Sequence, residues 1–82
     1  MSSARVRLPQ GLGDLLRSEM VRCIEEANLG ETDTNIAKRY LLDQWPQIEI
    51  AAELGWARST VSGRVSCIVA KVQKTAERLG MT

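Results

Sequence analysis

Eighty-two residues make one small domain, and a chain of about this length buries only some 60 to 65 % of the surface that its unfolded form exposes. A net charge of +1 argues against strong nonspecific binding to polyanions, and no uncharged apolar run approaches the ~20 residues that span a bilayer. The polar start has no signal-peptide apolar region, so the expected location is the cytoplasm, without membrane contact.

In chain order, residues 1–11 read as a flexible basic arm. They hold small residues, Arg5 and Arg7 without an acid before Leu8, and Pro9, which discourages helix just before it. Such an arm can reach a phosphate backbone, or it can be a tail with incidental charge. Residues 12–82 then form the folded domain. Leu12, Leu16, Met20, Cys23, Ile24 and Ala27 recur at helical spacing and predict a first helix over about 14–28, with Asp14 as cap and Gly30 as terminator. The stretch GETDT breaks that pattern. Asp33 or Thr34 is expected to cap a second helix running to about Gln44, with Ile36, Ala37, Tyr40 and Leu41 as its buried stripe. Lys38 and Arg39 lie beside that stripe, facing either a phosphate or solvent. Trp45 and Pro46 then punctuate the chain.

The segment Gln47 to Ser66, QIEIAAELGWARSTVSGRVS, reads as a helix-turn-helix. Ile50, Ala51 and Leu54 make the apolar side of a short helix, and Gly55 can take the left-handed conformation that ends it. Short helix–helix turns often contain such a glycine. Trp56 is the expected plug of the turn. A second helix restarts near Arg58, with Val61, Val65 and Ile68 pointing back at the first. Opposite them lie Ser59, Ser62, Gly63, Ser66 and Ala70, nearly all small or hydroxylated. A glycine inside a helix costs about 0.8 to 1 kcal/mol relative to alanine, so local stability does not account for Gly63. Close approach to a DNA major groove would, with serine hydroxyls and a nearby arginine serving base edges or phosphates. The competing reading is a solvated face. The apolar pattern continues through Ile68, Val69, Val72, Ala76 and Leu79 to Gly80, as one long helix or two closely joined ones. A domain this small is expected to leave part of that seam uncovered, which makes these five residues the candidate homodimer contact.

The charge is segregated. Residues 1–7 carry +2, residues 8–55 carry −5, and residues 57–82 carry +4, through Arg58, Arg64, Lys71, Lys74 and Arg78 against Glu77. Positive charge on the reading helix and the arm is the electrostatic pattern of a nucleic-acid binder. Only Tyr40, Trp45 and Trp56 are aromatic; all three are assigned to the core, which argues against base stacking on single strands. Cys23 and Cys67 are too few for a disulfide framework or zinc site and are expected to be reduced, packing residues.

No catalytic constellation is present in the sequence. Histidine is absent, neither cysteine has a histidine to activate it, and GLG at Gly11 to Gly13 lacks the rest of a phosphate loop. No enzyme activity, cofactor, metal or small-molecule substrate is therefore expected.

The stretch TNIAKRYLLDQWPQIEIAAELGWARSTVSGRVSCIVAKVQK, from Thr34 to Lys74, resembles the TrfB/KorA family of plasmid-encoded transcriptional repressors. The resemblance is carried above all by IAKRYLLDQWPQ followed by LGWARSTVSGRV. It implies an all-α domain, a small helical bundle containing a helix-turn-helix with an extended C-terminal helix, that binds a palindromic operator as a homodimer and represses plasmid maintenance or transfer genes. The operator-reading arginine of the family falls on Arg58. A polar residue one turn further along falls on Gly63, so readout at that base would be lost or taken over by Ser62.

These readings combine into one expectation: a duplex-DNA repressor with Arg58, Ser59, Ser62, Gly63 and Ser66 at base edges. Gln47, Thr60, Arg64, Lys38, Arg39, Arg5 and Arg7 would stand at phosphates. The alternative is a helix-turn-helix fold reused as a protein-interaction adaptor, antitoxin-like or polymerase-binding in the manner of sigma region 4.

Overall fold

The computed structural model describes residues 15–81. The arm with Arg5 and Arg7, and the expected Asp14 cap, lie outside the described residues. The first helix, α1, spans Arg17–Glu26 and buries Met20, Cys23 and Ile24 on one side. Its start is fixed by Glu19, whose carboxylate accepts the backbone N–H of Leu16 at 2.9 Å and so satisfies a donor that the helix cannot. Its end comes at Asn28, which adopts φ 53°, a left-handed conformation that asparagine tolerates better than most residues.

Gly30 therefore does not terminate α1. With φ 90° and ψ 165° it is the residue before α2, which spans Glu31–Ala37. That conformation suits glycine, so the chain turns directly into the next helix, and Asp33 and Thr34 fall inside the first turn rather than capping it. Glu31 and Asp33 there sit at the positive end of the helix dipole. The helix widens into a π-helical stretch at Lys38–Leu42. Asp43 N–H bonds to Lys38 O at 3.1 Å, and Trp45 N–H reaches back to Arg39 O at 2.9 Å. This wider turn rotates the expected stripe: Ile36, Ala37 and Leu41 are buried, but Tyr40 is only half-buried. Trp45 and Trp56 likewise pack at the edge of the core rather than within it.

The next helix, α3, spans Gln47–Leu54 and follows Pro46, as the sequence predicts. It buries Ile50 and Ala51. Gly55 at φ 70° ends it: Trp56 N–H bonds to Ala51 O at 3.0 Å and Gly55 N–H to Ala52 O at 3.4 Å. These two bonds satisfy carbonyls that the helix end would otherwise orphan. The last helix, α4, then runs unbroken over Arg58–Arg78, 21 residues, or about 31 Å.

This long helix is the spine of the molecule, with α1, α2 and α3 all packing on it. Val61, Val65, Ile68, Val72 and Ala76 join Met20, Cys23, Ile24, Ile36, Ala37, Leu41, Ile50 and Ala51 in one core. The expected leftover seam is thereby corrected. Ile68 is 2 % exposed, Val72 and Ala76 are fully buried, and Val69 and Leu79 are half-buried against the same core. With three helices packed on α4, Ile68, Val72 and Ala76 complete the protomer's own core, and of the five residues only Val69 and Leu79 keep part of their surface open. A further correction concerns Cys67, expected to pack inside but exposed; its position falls outside the row of buried residues on α4.

Candidate nucleic-acid interface

The Gly55 turn brings α4 out of α3 with its outer side uncovered. Arg58, Ser59, Thr60, Gly63, Arg64 and Ser66 are exposed and Ser62 is half-buried. At about 100° per residue, Ser59, Gly63, Ser66 and Ala70 lie opposite the buried row. Ser62 leans to one flank, and Thr60, Arg64, Cys67, Lys71, Lys74 and Arg78 line the other. Four of the five residues expected at base edges, Ser59, Ser62, Gly63 and Ser66, thus share one accessible side, whereas Arg58, seven residues before Val65, projects with the buried row and is exposed because it begins the helix. A Cβ built at Gly63 would meet nothing within 4 Å. No internal close approach requires glycine there, although the helix would be more stable with alanine.

The residues expected at phosphates are more scattered. Gln47 begins α3 and is half-buried, whereas Lys38 is exposed on the π-helical stretch. Two arginines are held by contacts that the sequence pattern did not reveal. Arg39 stands 3.4 Å from Glu53 on α3, with its guanidinium 4.6 Å from the centre of the Trp45 ring. Arg64 places Nε 3.2 Å from Asp33 Oδ1 on α2 and lies over Trp56 at 5.9 Å. The Oδ1 atom is shielded from solvent and receives no directed hydrogen bond, so this is a close charge contact. The Arg64 side chain is nevertheless 50 % exposed, and pairs of this kind contribute only about 0 to 1 kcal/mol. Both arginines keep an open side for a further partner. Each also ties together elements distant in sequence, which no local spacing could reveal.

The remaining polar features are structural. Arg17 bonds Leu42 O at 3.2 Å and pairs with Asp43 at 3.3 Å, fastening the start of α1 to the end of the π-helical stretch. Cys23 is buried beside Met81, with 3.5 Å between the sulfurs. Burial raises its thiol pKa; nearby Glu19 adds to the rise and Arg22 opposes it. No cluster of three or more metal-ligating side chains occurs among the described residues. No family model, curated protein or solved structure matches the chain.

Proposed function

We propose that this chain is a sequence-specific duplex-DNA-binding repressor in which α3 and α4 act as a helix-turn-helix. The amino-terminal half of α4 enters the major groove. One observation carries the reading: the outer side of that half is open and lean, and Gly63 at its centre has no packing reason to be glycine. Arg58 reads a base, with Ser59, Ser62 and Ser66 beside it, while Gln47, Thr60, Arg64, Lys38 and Arg39 stand at the groove walls. The resemblance to TrfB/KorA repressors supports the same reading and extends it to a homodimer on a palindromic operator, controlling plasmid genes from the cytoplasm. Because Ile68, Val72 and Ala76 belong to the protomer's own core, such a dimer uses another surface.

The test begins with selection of bound duplexes from a random library. Arg58→Ala should then cost about 1 to 3 kcal/mol on the selected site and relax preference at one base position. If the wild-type chain enriched no sequence, or if Arg58→Ala bound and discriminated as it does, the assignment of α4 as reader would be wrong. One observation favours the adaptor reading instead: Ile48 on α3 and Leu16 before α1 are large apolar side chains, 61 % and 67 % exposed. An adaptor would bind a protein through them with little dependence on salt, whereas duplex affinity falls steeply with salt.

A further inference from the structure

The flank of α4 beside the reading side carries a row of its own: Thr60, Arg64, Cys67, Lys71, Lys74 and Arg78. Their spacing alternates four and three, which holds them on one side of a straight helix over about 27 Å. Four of the six are cations. Arg64 is engaged by Asp33, but Lys71, Lys74 and Arg78 have no ion-pair partner among the described residues. They line a shallow groove of about 370 Å³ together with Thr75 and with Ala27 from the end of α1. Arg78 has an intrahelical reason to be basic, since it stands in the last turn, where a cation complements the helix dipole. Lys74 stands just ahead of that turn and Lys71 a turn earlier, so neither is placed by the dipole as Arg78 is.

Glu77 sharpens the division. It is the only acid in α4 and projects on the same side as Ser59, Gly63 and Ala70, lining a neighbouring groove with Ala70, Lys71, Gln73 and Lys74. A carboxylate on that side is unsuited to the floor of a DNA groove, so base reading ends before it. The carboxy-terminal half of α4 is basic only along its flank.

We infer that Lys71, Lys74 and Arg78 form a backbone rail, binding consecutive phosphates of one DNA strand beside the groove that the amino-terminal half of α4 enters. The occupant is assigned by charge. The three cations are separated by about 4.5 and 6 Å along the helix axis, without the hydroxyl-rich surroundings of the reading side. Duplex DNA offers one phosphate charge per 3.4 Å of axis on each strand. This inference rests on α4 being the duplex-binding helix. The rail adds affinity without sequence preference, and it accounts for three of the five cations that collect at the end of a nearly neutral chain.

The test uses the full chain carrying K71Q, K74Q and R78Q together, with K71Q alone as a milder variant. Binding to the selected duplex and to a random-sequence duplex is followed by fluorescence anisotropy from 50 to 300 mM salt. Circular dichroism confirms that each variant is folded. Each lost phosphate contact should flatten the slope of log affinity against log salt by about 0.9, so the triple variant should lose up to about 2.7. Both duplexes should weaken by the same factor, leaving the preference between them unchanged. An unchanged slope in the triple variant, or in K71Q where the triple variant does not fold, overturns the rail. So does a loss confined to the selected duplex. If the rail fails while Arg58→Ala still relaxes preference at one base position, only this inference falls; if the wild-type chain binds no duplex at 50 mM salt, both fall.

Discussion

Gly63 stands within a 21-residue helix with open space where its side chain would begin. An alanine there removes the entropic penalty of glycine without meeting a neighbour. Gly63→Ala should therefore stabilise the free protein by about 0.5 to 1 kcal/mol, measured as a higher urea midpoint at unchanged slope. On the proposed DNA site the same methyl group intrudes at closest approach, so affinity for the selected duplex should fall. A variant more stable and equally tight in binding would leave Gly63 without a role in the interface. At this scale the sequence was informative about exposure: Ser59, Gly63 and Ser66 lie on the open side of α4 because helical spacing turns them away from the row of Val61, Val65 and Ile68. It was silent on Arg64, whose partner Asp33 belongs to another helix, since a pairing between distant segments leaves no local pattern.

Among the elements, the Gly55 turn sets the angle at which α4 leaves α3. Gly55 also has nothing within 4 Å of a built Cβ, but its φ is 70°. Alanine at this position therefore meets conformational strain and no clash, at a cost of about 1 to 2 kcal/mol. Gly55→Ala should lower the urea midpoint accordingly, so one chemical change has opposite signs at the two glycines. If Gly55→Ala were neutral, the left-handed turn would not be the native one. The contrast explains which boundaries were legible. Gly55 and Gly80 both follow the last apolar position of a periodic run, and both stop helices with positive φ. Gly30 looked the same in sequence, yet it opens α2, because Asn28 had already ended α1. The π-helical stretch was hidden for a related reason: Lys38–Leu42 has ordinary helix-forming composition, and nothing in its residue types distinguishes the wider turn from an α-helical one.

For the whole molecule, the lesson lies in what covers α4. Periodicity identified Ile68, Val72 and Ala76 as apolar but not the helices that bury them, because a stripe looks the same under a partner subunit and under its own chain. The two cysteines provide a probe of that cover. Cys67 is exposed and Cys23 is fully buried, so a thiol-alkylating reagent should modify Cys67 at once. Cys23 should react only through global opening, since the thiolate is the reactive form and burial raises its pKa. Mass spectrometry of labelled peptides would give both rates. The raised pKa also fixes a sign. Above pH 9, the ordinary value for the thiol, the unfolded chain loses the Cys23 proton while the folded chain retains it. Stability contributed by the protonated thiol is thus complete below that pH and declines as pH rises toward the folded value. Cys23→Ala should remove this part of the alkaline decline, at the expense of a small cavity. Selected duplex DNA should slow labelling at Cys67, which lies between Arg64 and Lys71 on the flank of α4. Cys23 labelling as fast as Cys67 in native buffer would mean that α1 and Met81 do not close over α4, and the core described above would be wrong.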